Sequence, residues 1–275
     1  DTTYITSGGA QNTITSSAPA SGTEFFNLGG GTITFDVADG SDAYSDLYVD
    51  AYLRNTVGVR KIGAGTMSFE RDMRYNGGTV VDAGTLILND VGNDGYGVVT
   101  GTLTVNAGAT VQLTGANSAL GWKDASGGGV DGRKVTTLNI NGGLVEAVTF
   151  PGATSPSDKD AMFLWNKTIN FSGGGELRVN GGTSSATAAR RWEISGVTIN
   201  VNNPTATASI TGRVHLRASD TVFNVGSGAA DPELLVSAAI TENAQYGITK
   251  QGAGTMTLTG ANTYTGFTTI QGGVL

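Results

Sequence analysis

Residues 247–275 read GITKQGAGTMTLTGANTYTGFTTIQGGVL, and residues 58–86 read GVRKIGAGTMSFERDMRYNGGTVVDAGTL. Aligned without a gap, Lys61, Gly63, Ala64, Gly65, Thr66, Met67, Tyr75, Gly77, Thr79 and Leu86 recur 189 residues further on. Their counterparts are Lys250, Gly252, Ala253, Gly254, Thr255, Met256, Tyr264, Gly266, Thr268 and Leu275. Upstream the echo continues with small slips. Phe35-Asp36-Val37 answers Phe223-Asn224-Val225, and Asp46-Leu47-Tyr48-Val49 answers Glu233-Leu234-Leu235-Val236. Self-similarity at a fixed spacing is the mark of a repeat architecture. Residues 1–86 then read as the end of one block and 87–275 as one full block, continuous and without a flexible linker.

A shorter rhythm runs inside the block. Leu103-Thr104-Val105-Asn106, Leu138-Asn139-Ile140-Asn141, Ile169-Asn170-Phe171-Ser172, Ile199-Asn200-Val201-Asn202 and Val222-Phe223-Asn224-Val225 alternate large apolar residues with small polar ones. Alternation with period two means strands with one buried face, and no segment carries a 3.6-residue period. Gly and Asn between the runs supply the backbone conformations that tight corners need. A sandwich would place strands every 8–12 residues, whereas these runs begin 23–35 residues apart. Rungs of a solenoid fit better. At about 25 residues per rung, the chain makes roughly 11 rungs of an all-β parallel β-helix.

Composition narrows the chemistry. Glycine is 43 of 275 residues, about twice the usual ~7%, with no every-third spacing that would mean collagen. There is no Cys and one His, which excludes disulfides, zinc–thiolate sites and thiol nucleophiles. The formal net charge is −7, the opposite of a nucleic-acid-binding footprint. No apolar run reaches the ~20 residues of a membrane-spanning helix. Asp1 stands where an initiator Met would, and no charged-then-apolar leader follows, so the chain reads as a processed segment of a longer array.

The 250–275 stretch resembles the autotransporter-associated β-strand repeat. Lys250, Gly252, Gly254, Thr255, Leu258, Gly260, Asn262, Tyr264, Gly266, Thr268, Ile270, Gly273 and Leu275 fit its pattern, with Met256 in place of Leu. The earlier copy keeps Lys61, Gly63, Gly65, Thr66, Tyr75, Gly77, Thr79, Gly84 and Leu86, and departs at Glu70-Arg71-Asp72-Met73-Arg74. The resemblance implies a right-handed parallel β-helix (β-solenoid) with loop excursions between rungs. It further implies a passenger region of a large bacterial surface or secreted protein, extracellular and associated with the outer membrane. Such a passenger is a structural or adhesive segment rather than an enzyme, without cofactors. Its expected partners are further copies of the repeat, in the same chain or head to tail, and a surface glycan or protein.

Three stretches read as excursions from the rungs: 115–134, 150–167 and 181–192. Each carries one of the three tryptophans, Trp122, Trp165 and Trp192. With Lys123, Lys167, Arg190 and Arg191 nearby they are candidates for a sugar- or protein-binding rim. Asp36, Asp39, Asp42, Asp46 and Asp50 offer oxygen ligands for Ca²⁺, although their spacing matches neither the EF-hand loop nor the Gly-rich nonapeptide of calcium β-rolls; Asp39, Asp42 and Asp46 are the candidates. Carboxylates for a polysaccharide-acting enzyme would come from Glu146, Asp158, Asp160, Glu176 and Glu193. His215, in the alternating run Arg213–Arg217, shows no triad signature. Within the repeat motif the expected roles are structural. Tyr264 lies against the next rung, and Asn262 satisfies backbone groups at a corner.

Overall fold

The computed structural model describes residues 3–7, 11–15, 25–27, 29–54, 57–91, 95–115, 118–122, 133–148, 161–180, 190–202 and 204–275. Every regular element among them is a strand, and all strand pairs are parallel. The chain divides into two compact units, residues 1–135 and 136–275.

In the first unit the chain visits two sheets in alternation. Thr3–Ser7, Thr32–Val37, Gly58–Ile62, Thr79–Val81 and Gly101–Asn106 stack in one. Asn12–Thr15, Leu47–Asp50, Thr66–Phe69, Gly84–Asp90 and Ala109–Gly115 stack in the other. Phe25–Asn27 pairs with Tyr52–Arg54 to begin a third side. Strands that follow one another in sequence sit in different sheets, so each sheet pairs a strand only with the preceding and following turn. That is a parallel β-helix, and the alternation of the sequence supplies its interior. Leu47, Met67, Leu86 and Val111 stack in register, as do Val49, Phe69, Leu88 and Leu113. All eight are at most 2% exposed. Each such side chain contributes about 1.5–3 kcal/mol by leaving water, so the column is a main source of stability in a chain without cysteine.

The second unit has three sides. The first sheet holds Val135–Asn141, Thr168–Ser172, Thr198–Val201, Thr221–Val225, Ile248–Gln251 and Thr268–Ile270. The second holds Leu144–Val148, Glu176–Asn180, Ala208–Thr211, Leu234–Val236 and Met256–Leu258. The third holds Ala161–Trp165, Arg191–Ser195, Arg213–Leu216 and Ala239–Glu242. On the outer face of the first sheet Asn139, Asn170, Asn200 and Asn224 form a ladder. Each amide donates to the Oδ1 of the preceding rung at 2.8, 2.9 and 3.1 Å.

The third sheet corrects one expectation. Ala161–Trp165, and Arg191 and Trp192 at the start of Arg191–Ser195, read from sequence as parts of excursions, belong to rung strands. Their outward residues include Phe163 and Trp165, so the apolar–polar alternation that marks other strands is lost there. Residues 150–160, with Asp158 and Asp160, residues 181–189, and Lys123 of the first excursion lie outside the described residues.

Candidate functional site

The repeat motif folds into one rung whose hydrogen bonds recur in both copies. Lys61 and Lys250 stand at inward positions, in register with Phe35 and Phe223, and are fully buried. A buried ammonium requires compensating acceptors. Lys61 Nζ donates to the carbonyls of Gly63 at 2.8 Å, Ala83 at 2.9 Å and Ile62 at 3.3 Å. Lys250 Nζ donates to those of Gly252 at 2.9 Å, Gln251 at 3.0 Å and Gly272 at 3.0 Å. Two acceptors come from the lysine's own corner and the third from the next turn, so each lysine ties consecutive rungs together. Gly84 and Gly273 have positive φ, and a Cβ there would come within 2.7 Å of the lysine Nζ. Only glycine leaves room for the cage.

A carboxylate closes the same corner. Asp46 accepts the N–H of Gly40 at 2.8 Å and of Thr66 at 2.7 Å. Glu233 accepts those of Gly228 at 2.9 Å and Thr255 at 2.7 Å. Both carboxylates are buried. Desolvation pushes the Glu233 carboxyl up. The N–H groups of Thr255 and Gly228 and the charge of Lys250 outweigh that and hold it below the usual glutamate range. A depressed folded pKa gives stability that is complete above the ordinary glutamate value and is lost as pH falls through the folded one. Glu233→Gln is expected to cost about 1–3 kcal/mol at neutral pH, because the amide NH₂ faces a backbone donor. It should also flatten the loss of stability below pH 4. Urea unfolding at pH 7 and pH 3 checks this, and an unchanged acid slope would refute the clamp.

The tyrosine and asparagine of the motif are similarly engaged. Tyr75 and Tyr264 bond Thr79 and Thr268 through their hydroxyls, each at 2.6 Å, and Tyr75 is buried while Tyr264 is half-buried. Asn262 accepts the Ile240 N–H at 2.9 Å. Gly63 and Gly252 share φ values of 78° and 79°. Gly65 and Gly254 donate to Val37 and Val225 at 2.8 and 2.9 Å. In the first copy the charged departure is packed into the rung: Glu70 is buried and accepts from the Tyr44 hydroxyl and the Asn89 amide. Arg71 pairs with Asp50, and the guanidinium groups of Arg71 and Arg74 lie 5.6 and 4.7 Å from the Tyr52 ring centroid. Met73 between them is buried.

The other sequence candidates separate. Trp192 is not on a rim: it is fully buried in the core, its Nε1 without a hydrogen-bond partner, because Trp192 and Ile194 are the inward positions of Arg191–Ser195. Arg190 is likewise buried. Trp122 belongs to the first unit and donates its backbone N–H to the Gly95 carbonyl at 3.0 Å. Only Trp165 and Arg191 share a sheet face. Asp46 is not a calcium ligand, since both its oxygens serve backbone N–H groups, and Asp39 and Asp42 are exposed. No cluster of three or more potential metal-binding residues forms among the described residues. Glu146 and Glu176 both pair with Arg178, at 2.7 and 3.8 Å, while Glu193 stands on a different sheet.

The face that carries Trp165 and Arg191 was not legible as a unit in the sequence. It is the outside of the third sheet. Val214, Leu216, Met162, Leu164, Trp192 and Ile194 point inward and are buried. Arg213, His215, Arg217, Arg191, Glu193, Phe163 and Trp165 therefore point outward. Phe163 and Trp165 pack with ring centroids 4.8 Å apart. Glu193 receives Arg191 at 2.6 Å on one oxygen and lies 3.5 Å from Arg217 on the other. His215 Nδ1 bonds the Thr241 hydroxyl at 2.9 Å, and that hydroxyl donates to the Val214 carbonyl. Desolvation, with Arg191 and Arg217, lowers the His215 pKa against the opposing pull of Glu193 and Glu242, so the ring is neutral at pH 7.

The comparisons agree with the repeat geometry. A model of the passenger-associated transport repeat matches residues 59–88 and 248–275, the two rungs just described. The chain is 27% identical over 239 residues to the adhesin BmaC autotransporter of Brucella suis biovar 1 (strain 1330). That alignment covers 78% of this chain and 7% of the relative, so the chain corresponds to a small part of that protein's length. No solved structure gives a significant match. The chain therefore carries two copies of the passenger-associated transport repeat and is similar over most of its length to a small part of an autotransporter adhesin.

Proposed function

We propose that this chain is a stiff, non-enzymatic segment of a bacterial surface passenger, a stalk or adhesive rod exposed outside the cell. The observation that carries this reading is the recurrence of the lysine cage and carboxylate clamp in two rungs 189 residues apart. Selection for a uniform, self-tying rung serves extension. A catalytic solenoid needs one singular cleft instead, and Glu146 and Glu176 are neutralised by Arg178. The similarity to the Brucella adhesin supports the same reading. The test is protease treatment of intact cells producing the natural gene product. Peptides from this chain should be released without lysis. Protection until the envelope is broken would overturn the surface assignment.

A further inference from the structure

The outer face of the third sheet in the second unit concentrates positive charge in an acidic protein. Arg213, His215 and Arg217 leave one strand at alternate positions, about 6.6 Å apart. Arg191 stands beside Arg213 on the neighbouring strand, one ~4.8 Å step away. Three arginines therefore stand around Glu193, which two of them share, with Glu242 the other carboxylate near His215. Arg213 has no acidic partner among the described residues. The Arg191 and Arg217 side chains keep 29% and 40% of their surface in solvent.

The remaining groups identify what would fit. The Thr241 hydroxyl spends its hydrogen on the Val214 carbonyl, so His215 Nδ1 is the donor between them. In the neutral ring Nε2 then carries a lone pair, ready to accept from a hydroxyl. Phe163 and Trp165 add an aromatic pair, tilted 43° to one another, at the end of the same face. An aromatic platform takes the C–H face of a pyranose, arginine forks take carboxylate or sulfate oxygens bidentately, and an imidazole lone pair takes a sugar hydroxyl. An acidic peptide would use the arginines and leave the other two groups idle.

We propose that this face binds an anionic glycan, a chain of sugars bearing carboxylates or sulfates, with Arg213 as its principal cation. The proposal goes beyond the structural role above and does not depend on it, since binding is read on the purified chain while surface exposure is read on cells. Carboxylate and sulfate present the same oxyanion chemistry here, and the test separates them.

The 275-residue chain is titrated calorimetrically with oligogalacturonate, a dextran sulfate fragment and neutral dextran at low and at physiological salt. Poly-glutamate of matched charge is the control. Binding is expected for at least one anionic glycan, weaker at higher salt and absent for neutral dextran. Binding of oligogalacturonate alone assigns a carboxylate ligand, of dextran sulfate alone a sulfate ligand. Arg213→Ala should weaken binding about tenfold, the ~1.4 kcal/mol expected from one charge-assisted contact. It should leave the melting temperature unchanged, because Arg213 supports nothing in the fold. Phe163→Ala, which removes the platform and no charge, should also weaken the glycan. Poly-glutamate binding as tight as the glycans, an Arg213→Ala variant with wild-type affinity, or no binding to either anionic glycan would each overturn the proposal.

Discussion

Lys61→Met is expected to destabilise the chain by about 3–5 kcal/mol, the range for removing one partner of a buried charged network. Methionine fills nearly the same volume, so the loss is not a cavity. It arises because the carbonyls of Ile62, Gly63 and Ala83, in a partly buried corner, lose their donor. A buried acceptor left unpaired costs about 1–3 kcal/mol. Three such losses are offset in part by no longer desolvating an ammonium. The two effects differ in sign, and the orphaned carbonyls win because three are lost for one charge. Lys250→Met should act in the same direction on the second unit.

The same lysine has a pH signature. Burial, opposed by Asp46 and Asp36, lowers Lys61 to about 8, against about 10.4 in an unfolded chain. Between about pH 8 and 9.5, below the tyrosine range, the unfolded chain holds this proton more tightly than the folded one. Stability contributed by this group therefore rises with pH across that window. Urea unfolding of the wild type at pH 7.5 and 9.5 should show the rise, and Lys61→Met should reduce it. A variant within 1 kcal/mol of wild type at neutral pH would show that the cage holds nothing.

The motif's residues were legible from sequence, but the lysine's task was not. Its third acceptor, Ala83 or Gly272, lies 22 residues away and one full turn on. Alternation located the inward columns because Leu138, Ile140, Ile169 and Phe171 are separated by small polar residues. It failed in the third sheet for the same reason. Phe163 and Trp165 face outward and Trp192 inward, so aromatic character no longer tells the faces apart. Asp46 looked like a cation ligand because a carboxylate aimed at backbone N–H groups and one aimed at calcium share the same sequence. Only its echo at Glu233, in the acid position before a matching strand, pointed to a structural duty. The basic face was hidden because its members come from residues 163–217 on three strands. Register, not spacing, brings them together.

Gly77→Ala is the second large effect expected, a loss of about 3 kcal/mol or more, at or beyond the upper end of overpacking costs. A Cβ built on Gly77 falls 0.8 Å from the Val57 carbonyl oxygen, and the obstacle is backbone rather than a movable side chain. Two turns approach each other there with no room for a methyl group, just before the strand Thr79–Val81, which is paired on both sides. Relief would require shifting that strand away from Gly58–Ile62 and breaking ladder bonds. Gly266, the counterpart, meets the Tyr246 carbonyl carbon at 2.3 Å, also backbone. Gly266→Ala should act in the same direction, and both variants are compared with wild type by urea unfolding. A Gly77→Ala protein as stable as wild type would mean that the close approach is not a constraint at all.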